Sequence, residues 1–258
     1  MPKTTNPLLK KSGPSTNMIL SIVVVVAAIV IIGGVLLFTA GRGGQNDQAG
    51  NGAPAPAPGA DLSAVVAHPD SNALLEAPDG KVTVAEFLDF QCPSCWSYYT
   101  GVTKNIEQEF AGRITFVNRN FPITGAHPLA EPAAKAAEAA GQQGKYKEMY
   151  HALYDDYRAW AVSADGQNVS DDQQRANTLF TQYAQQIGLD VNKFRADLDS
   201  PVVAQRIEKD KADAEAAGVE GTPTFFINGH KWEPGKDAKT YGDVAAQLRD
   251  RLNQELAR

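Results

Sequence analysis

The only two cysteines of the 258-residue chain stand three positions apart, as Cys92 and Cys95 in "FLDFQCPSCWSYY" (87–99), with Pro93 and Ser94 between them. Two thiols at this spacing can close a disulfide with each other, open it again, or supply half of a metal site. A purely structural crosslink is disfavoured, because closing so short a ring restrains the unfolded chain far less than closing a long loop. Zinc would need two more ligands, and the four histidines (His68, His127, His151 and His230) show no paired spacing, so no metal is assigned. Redox exchange is the favoured reading. With an apolar strand before the motif and a helix after it, Cys92 falls at the helix N-cap and Pro93 at the first helical position, where its missing N–H costs nothing. The free first-turn N–H groups and the helix dipole then favour the Cys92 thiolate. Cys95, one turn later on the same side, is placed to resolve a mixed disulfide formed at Cys92.

The strand leading to the cysteines carries a second signal. In "KVTVAEFLDF" (81–90), period-two alternation puts Val82, Val84, Glu86, Leu88 and Phe90 on one face and Thr83, Ala85, Phe87 and Asp89 on the other. Glu86 is thus the only carboxylate on an apolar face, where burial would raise its pKa toward a useful proton carrier. The alternative is an edge-strand glutamate in solvent. Asp89 receives no role.

These residues need a scaffold, and its elements are readable. The 81–90 strand, the helix-like segment 94–110 and a second strand in "RITFVNRNF" (113–121) form a β-α-β unit, whose crossover implies parallel pairing. From about 126 to 217 the composition shifts to Ala, Gln, Glu and Lys at helical spacing, predicting helices over 132–157, 175–189 and 201–218. Gly141, Gly144, Gly188 and Gly218 are expected breaks or C-caps. Strand character returns in "TPTFFING" (222–229), where Asn228-Gly229 signals a hairpin, and 243–258 supplies a terminal helix.

The first 60 residues differ in kind. After a tail of residues 1–17, the segment 18–38 ("MILSIVVVVAAIVIIGGVLLF") carries no charge over 21 residues, enough to cross a bilayer core of roughly 30 Å as a helix. Lys3, Lys10 and Lys11 precede it and only Arg42 follows closely, so the N-terminus is expected in the cytoplasm and the rest outside. A cleaved signal peptide fits less well, because its apolar region is usually about 7–15 residues and ends in a small-x-small site. Residues 39–60, rich in Ala, Pro and Gly, read as a flexible linker spanning on the order of 25 Å. Four basic residues and one acidic residue lie before position 61, which leaves 20 basic against 29 acidic in 61–258. A surface of that sign repels phosphate backbones, and no Gly-rich phosphate loop is present, so nucleic-acid binding is not expected.

"EFLDFQCPSC" followed far downstream by "GTPTFFING", with an Ala/Gln-rich helical block between, resembles the DsbA-like thiol:disulfide oxidoreductases of the thioredoxin superfamily. In particular it is similar to the membrane-anchored forms on the outer face of Gram-positive, especially actinobacterial, cells. The resemblance covers about residues 70–258. It implies an α/β thioredoxin fold with a helical domain inserted at about 126–217, inside a single domain of residues 61–258, behind the transmembrane helix and flexible linker.

It further implies Cys92 as exposed nucleophile, Cys95 as buried resolving cysteine, Glu86 as the proton-transferring acid and Pro223 as a cis proline. Thr222 would offer backbone groups to an extended substrate, with Trp96, Ser94 and Pro93 bordering the groove. Tyr98 and Tyr99 are expected mostly in the core. His127 is expected to start a lid helix or pack beneath the lid rather than to act in catalysis. Pro-Ser stands where the best-known relative has Pro-His, which predicts a less extreme oxidant.

The implied activity is oxidation of cysteine pairs in exported proteins. No cofactor is expected, and a quinone-linked membrane partner would reoxidise the pair. A reductase or isomerase using the same residues, and a thiol-independent chaperone, are the alternatives.

Overall fold

The computed structural model describes residues 60–258. The expected tail, the apolar span 18–38 and the linker up to residue 59 lie outside the described residues. Among the described residues no helix is long and apolar enough to cross a membrane.

After a short helix α1 (Ser63–Val66), five strands form one mixed sheet: β1 (Asn72–Leu75), β2 (Thr83–Leu88), β3 (Thr115–Asn120), β4 (Thr224–Ile227) and β5 (His230–Trp232). Their order is β1-β3-β2-β4-β5, and β2 runs parallel to β3 and antiparallel to β4. The crossover from β2 to β3 comprises α2 (Pro93–Tyr98), one turn of π-helix (Tyr99–Thr103) and α3 (Lys104–Glu109). Because β2 is the central strand, all but its first residue are buried. Glu86 therefore lies mid-sheet, and the edge-strand alternative is excluded.

The alternation read along β2 divides the core. Val82 and Val84 pack with Val102, Ile106 and Phe110 of the crossover and with Leu248 and Leu252 of the terminal helix α10 (Tyr241–Leu256). Leu88 and Phe90 pack with Tyr99, Tyr150 and Tyr154 under the inserted helices, whereas Ala85 and Phe87 lie in a third cluster with Val117, Ala214 and Phe226. Glu86, between Val84 and Leu88, marks the seam between the first two clusters.

The insertion is built from α4 (Ala130–Gly141), α5 (Tyr146–Asp155), α6 (Tyr157–Ala161), α7 (Gln173–Gln186), α8 (Val191–Leu198) and α9 (Pro201–Ala216). The helix expected over 132–157 is broken in three. Gly144 takes φ 69°, a left-handed conformation that only glycine adopts without strain, and ends the first piece. Helix α8 escaped the reading, although Asp190 is a clear N-cap whose carboxylate accepts from Asn192 N–H and Lys193 N–H. Helix α9 starts on Ser200 as N-cap with Pro201 behind it and ends at Gly218, φ 69°.

The insertion is tied to the sheet by charge. The buried Arg119 of β3 donates to Asp210 of α9 at 2.7 Å, to Asp213, and to the Val65 carbonyl at 3.0 Å. The expected hairpin joins β4 to β5, with Asn228 at φ 48° and Gly229 at φ 76°. Gly229 is required twice over, since a Cβ there would come within 2.3 Å of the Ser63 nitrogen.

Candidate active site

Strand β2 delivers its chain to the head of α2, and the turn between them is held from within. The Cys92 N–H donates to the Asp89 carbonyl at 3.1 Å, and Gln91 N–H to the Asp89 carboxylate at 2.8 Å. Cys92 is the N-cap residue of α2 with extended backbone (φ −66°, ψ 123°), and Pro93 opens the helix. Both cysteines are free thiols. Cys92 is recessed, 7% accessible against 0% for Cys95. That corrects the expectation of an exposed nucleophile: the sulfur lies close to the Thr222 carbonyl, at 3.6 Å, while the neighbouring Pro93 and Ser94 are exposed.

The two sulfurs are driven apart electrostatically. The Cys95 thiol donates to the Cys92 sulfur, and the backbone N–H groups of Cys95 and Ser94, with the Thr222 side chain, act in the same direction. Against the opposing effect of burial they bring the Cys92 pKa down to about 5. Burial pushes the Cys95 thiol well above its usual value, and the negative charges of Cys92 and Glu86 add to that. Glu86 is buried at the seam, and desolvation, reinforced by the Glu107 carboxylate, raises its pKa to about 8.

The Thr222–Pro223 peptide bond is cis. Trp96 is half-buried, stacked on Tyr157 (centroids 5.1 Å apart, planes at 11°), with the Arg158 guanidinium 5.4 Å from its ring centre. Tyr99 is buried, whereas Tyr98 is half-buried and stacks on Phe225. Among the described residues no cluster of His, Cys, Asp and Glu could hold a metal ion.

Asp89, His127 and Gln91 form a support the sequence reading missed. The Asp89 carboxylate accepts from His127 Nδ1 at 2.7 Å and from Ile123 N–H at 2.9 Å. That hydrogen bond raises the His127 pKa, and the Cys92 thiolate acts in the same direction. The ring is thus bonded under the start of the insertion, but to the strand end that carries the cysteines. Buried Gln91 donates to the carbonyls of Ala161 and Ser170 and accepts from Leu129 N–H, so one side chain pins the active-site turn to two loops of the insertion. The available signal was polarity: Asp89 and Gln91 interrupt an apolar strand end where burial demands partners.

A thioredoxin family model (described as "Thioredoxin") matches residues 73–249. Among solved structures, a thioredoxin-like oxidoreductase from Silicibacter pomeroyi DSS-3 is 28% identical with a TM-score of 0.55, over 77% of this chain and 99% of that one. BdbD from Bacillus subtilis is 21% identical with a TM-score of 0.57, over 71% of this chain and 92% of its own. The thiol-disulfide exchange protein alpha-DsbA2 from Wolbachia pipientis is 20% identical with a TM-score of 0.57, over 75% and 91%. Curated relatives include the Na(+)/H(+) antiporter NhaA of Herminiimonas arsenicoxydans, 34% identical over 69% of this chain, and NhaA 1 of Mycolicibacterium gilvum, 34% identical over 66%. This chain spans about a quarter of the length of those relatives, 26% and 25%.

Proposed function

This chain belongs to the thioredoxin superfamily as a DsbA-like member, and from that premise we propose that it is an extracytoplasmic thiol:disulfide oxidoreductase that oxidises cysteine pairs of exported proteins. The observation that carries the reading is the contrast between the two sulfurs, with Cys92 near pKa 5 at a helix N-cap and Cys95 buried and held protonated. In the disulfide form, a substrate thiolate attacks the Cys92 sulfur, the Cys92–Cys95 bond breaks, and Cys95 leaves with the electron pair. Cys95 then takes a proton, for which Glu86 is the donor. A second substrate thiolate attacks its own sulfur in the mixed disulfide and expels Cys92 as a thiolate. The substrate is thereby oxidised by two electrons and the enzyme reduced by two. A stabilised Cys92 thiolate is a good leaving group, which favours this direction.

Substrate binding is assigned to the edge beside the sulfur. The Thr222 carbonyl faces Cys92 at 3.6 Å. An extended peptide would meet it there, with Pro93, Ser94 and Trp96 as the opposite border. The apolar span 18–38 would anchor the chain with residues 61–258 outside, where disulfides persist, and a quinone-linked membrane protein would reoxidise it.

Equilibration of the full chain, held in detergent, with glutathione buffers tests the direction. A potential near about −120 mV supports the oxidase, whereas one near about −270 mV makes it a reductase. Labelling of Cys92 in intact cells by a membrane-impermeant maleimide tests the location, and protection until lysis would refute it.

A further inference from the structure

Resting on the exchange function just proposed, we infer that Glu107 and His151 form the solvent end of a proton route that supplies Glu86 and, through it, Cys95. Buried Glu86 gives up one proton when the substrate is oxidised, and only the later reoxidation, in which Cys95 loses its proton again, would return it from within the site. A route to solvent exchanges that proton in each half of the cycle.

A chain of groups leads from its neighbourhood to the surface. Glu107, on α3, is only 8% accessible, yet its Oε2 lies 3.2 Å from His151 Nε2 and 3.2 Å from Lys147 Nζ, both on α5. His151 Nδ1 lies 3.0 Å from the Tyr99 hydroxyl, which donates to Asp155 at 2.7 Å. Asp155, 55% accessible, also accepts from Lys104 at 2.8 Å. Ion-pair contact from the buried carboxylate to His151 thus continues as hydrogen bonds through Tyr99 to the exposed Asp155.

The inner end is placed by the core. Val84, beside Glu86 on the same strand face, packs with Val102 and Ile106 in the helical run that carries Glu107, and Leu88 packs with Tyr99 and Tyr150. Glu86 Oε2, Glu107 Oε1 and Tyr150 OH are all buried, and none has a hydrogen-bond partner among the described residues. Buried polar atoms left this way are costly unless they find partners transiently or through water. The Glu107 charge raises the Glu86 pKa, and both carboxylates raise that of Tyr150. A simple ion-pair clamp between α3 and α5 would explain Lys147 but neither unpartnered oxygen.

In the step that breaks the Cys92–Cys95 bond, Glu86 passes a proton to the departing Cys95 thiolate and becomes a carboxylate. Glu107 passes one to Glu86, and His151, in contact with Tyr99 and part-exposed, recharges Glu107. One proton enters per substrate pair oxidised, because Cys92 leaves as a thiolate. The titratable and charged groups around the route are Cys95, Tyr98, Tyr146, Tyr150 and Tyr154 at Glu86, Lys147 at Glu107, and Tyr99, Glu148, Asp155 and Lys104 at His151.

The test is stopped-flow reduction of the disulfide form of the full chain in detergent by a two-cysteine peptide, across pH 5.5 to 9. Glu107→Gln and His151→Gln are each expected to slow the reaction by roughly a hundredfold, the lower end of what a positioned proton carrier contributes, and to change its pH profile. Added imidazole, which can carry the missing proton, is expected to restore His151→Gln. Tyr99→Phe, which removes one hydroxyl and little volume, is expected to slow the reaction in the same sense and keeps the question open to decision should Glu107→Gln fail to fold. Wild-type rates and pH profiles in these variants, or slowing that imidazole leaves untouched while urea midpoints fall, would overturn the route. A wild-type disulfide form that does not react with the peptide would overturn the exchange function as well.

Discussion

Cys92 and Cys95 are chemically identical side chains three positions apart, and the fold makes them opposites. The fold lowers the Cys92 pKa from 9.0 to about 5, so ionisation of this sulfur stabilises the reduced folded form fully above about pH 9, and that contribution disappears as pH falls through 5. Between pH 5 and the high pKa of Cys95, reduction takes up two electrons and one proton, and below pH 5 two of each. The potential is therefore expected to change by about 30 mV per pH unit above pH 5 and by about 59 mV per unit below it. Glutathione equilibria from pH 4 to 8 check this, and a slope of about 59 mV per unit throughout would exclude a low-pKa thiolate. Glu86 has the opposite sign. Its folded pKa of about 8 exceeds the reference 4.5, so the stabilisation is complete below 4.5 and is lost as pH rises through 8. Across that window the group costs about 1.4 kcal/mol per pH unit. Glu86→Gln is expected to remove that slope and to gain stability over wild type at pH 8, measured by urea midpoints at pH 5, 6.5 and 8. Equal slopes for the two proteins would show that Glu86 is ionised throughout.

Helix α2 is legible because its start signals are local: a β-rich run, an N-cap residue and a proline at the first position. Its far end was not legible. The turn Tyr99–Thr103 is π-helical, and it lies against the start of α10, whose Thr240 and Asp243 form a capping box. A Cβ on Gly101 would sit 2.6 Å from the Tyr241 Cβ, a contact made by residues 140 positions apart in sequence. Gly101→Ala is expected to cost about 1–3 kcal/mol by forcing these elements apart, seen as a lowered urea midpoint. An unchanged midpoint would mean the junction yields without strain. The insertion helices show the same division. Asp190, Ser200 and Gly218 punctuate it as local rules require, whereas the break of 132–157 into α4, α5 and α6 depends on how each piece packs.

The insertion and the sheet are held as one body by interactions that no sequence window contains. Arg119, fully buried, reaches Asp210 and Asp213, while Asn120 donates to Asp210 from both its backbone and side-chain nitrogens at 2.8 Å. Arg119→Ala is expected to destabilise the chain by about 3–5 kcal/mol, because it leaves a buried carboxylate without its cation. A thermal midpoint within error of wild type would show that the asparagine bonds suffice. The β-α-β unit, the hairpin, the paired thiols and the acid on an apolar face could all be read from the chain, since each rests on rules acting over a few residues: alternation, capping and turn chemistry. What required the folded chain was the recess around Cys92, the central place of β2, the Asp89–His127 support and the path from Glu107 to Asp155. Each joins side chains from distant segments, 38 residues apart for Asp89 and His127 and 91 for Arg119 and Asp210. A buried charge or hydrogen-bond donor announces in sequence only that it needs a partner, and packing alone selects which one it meets.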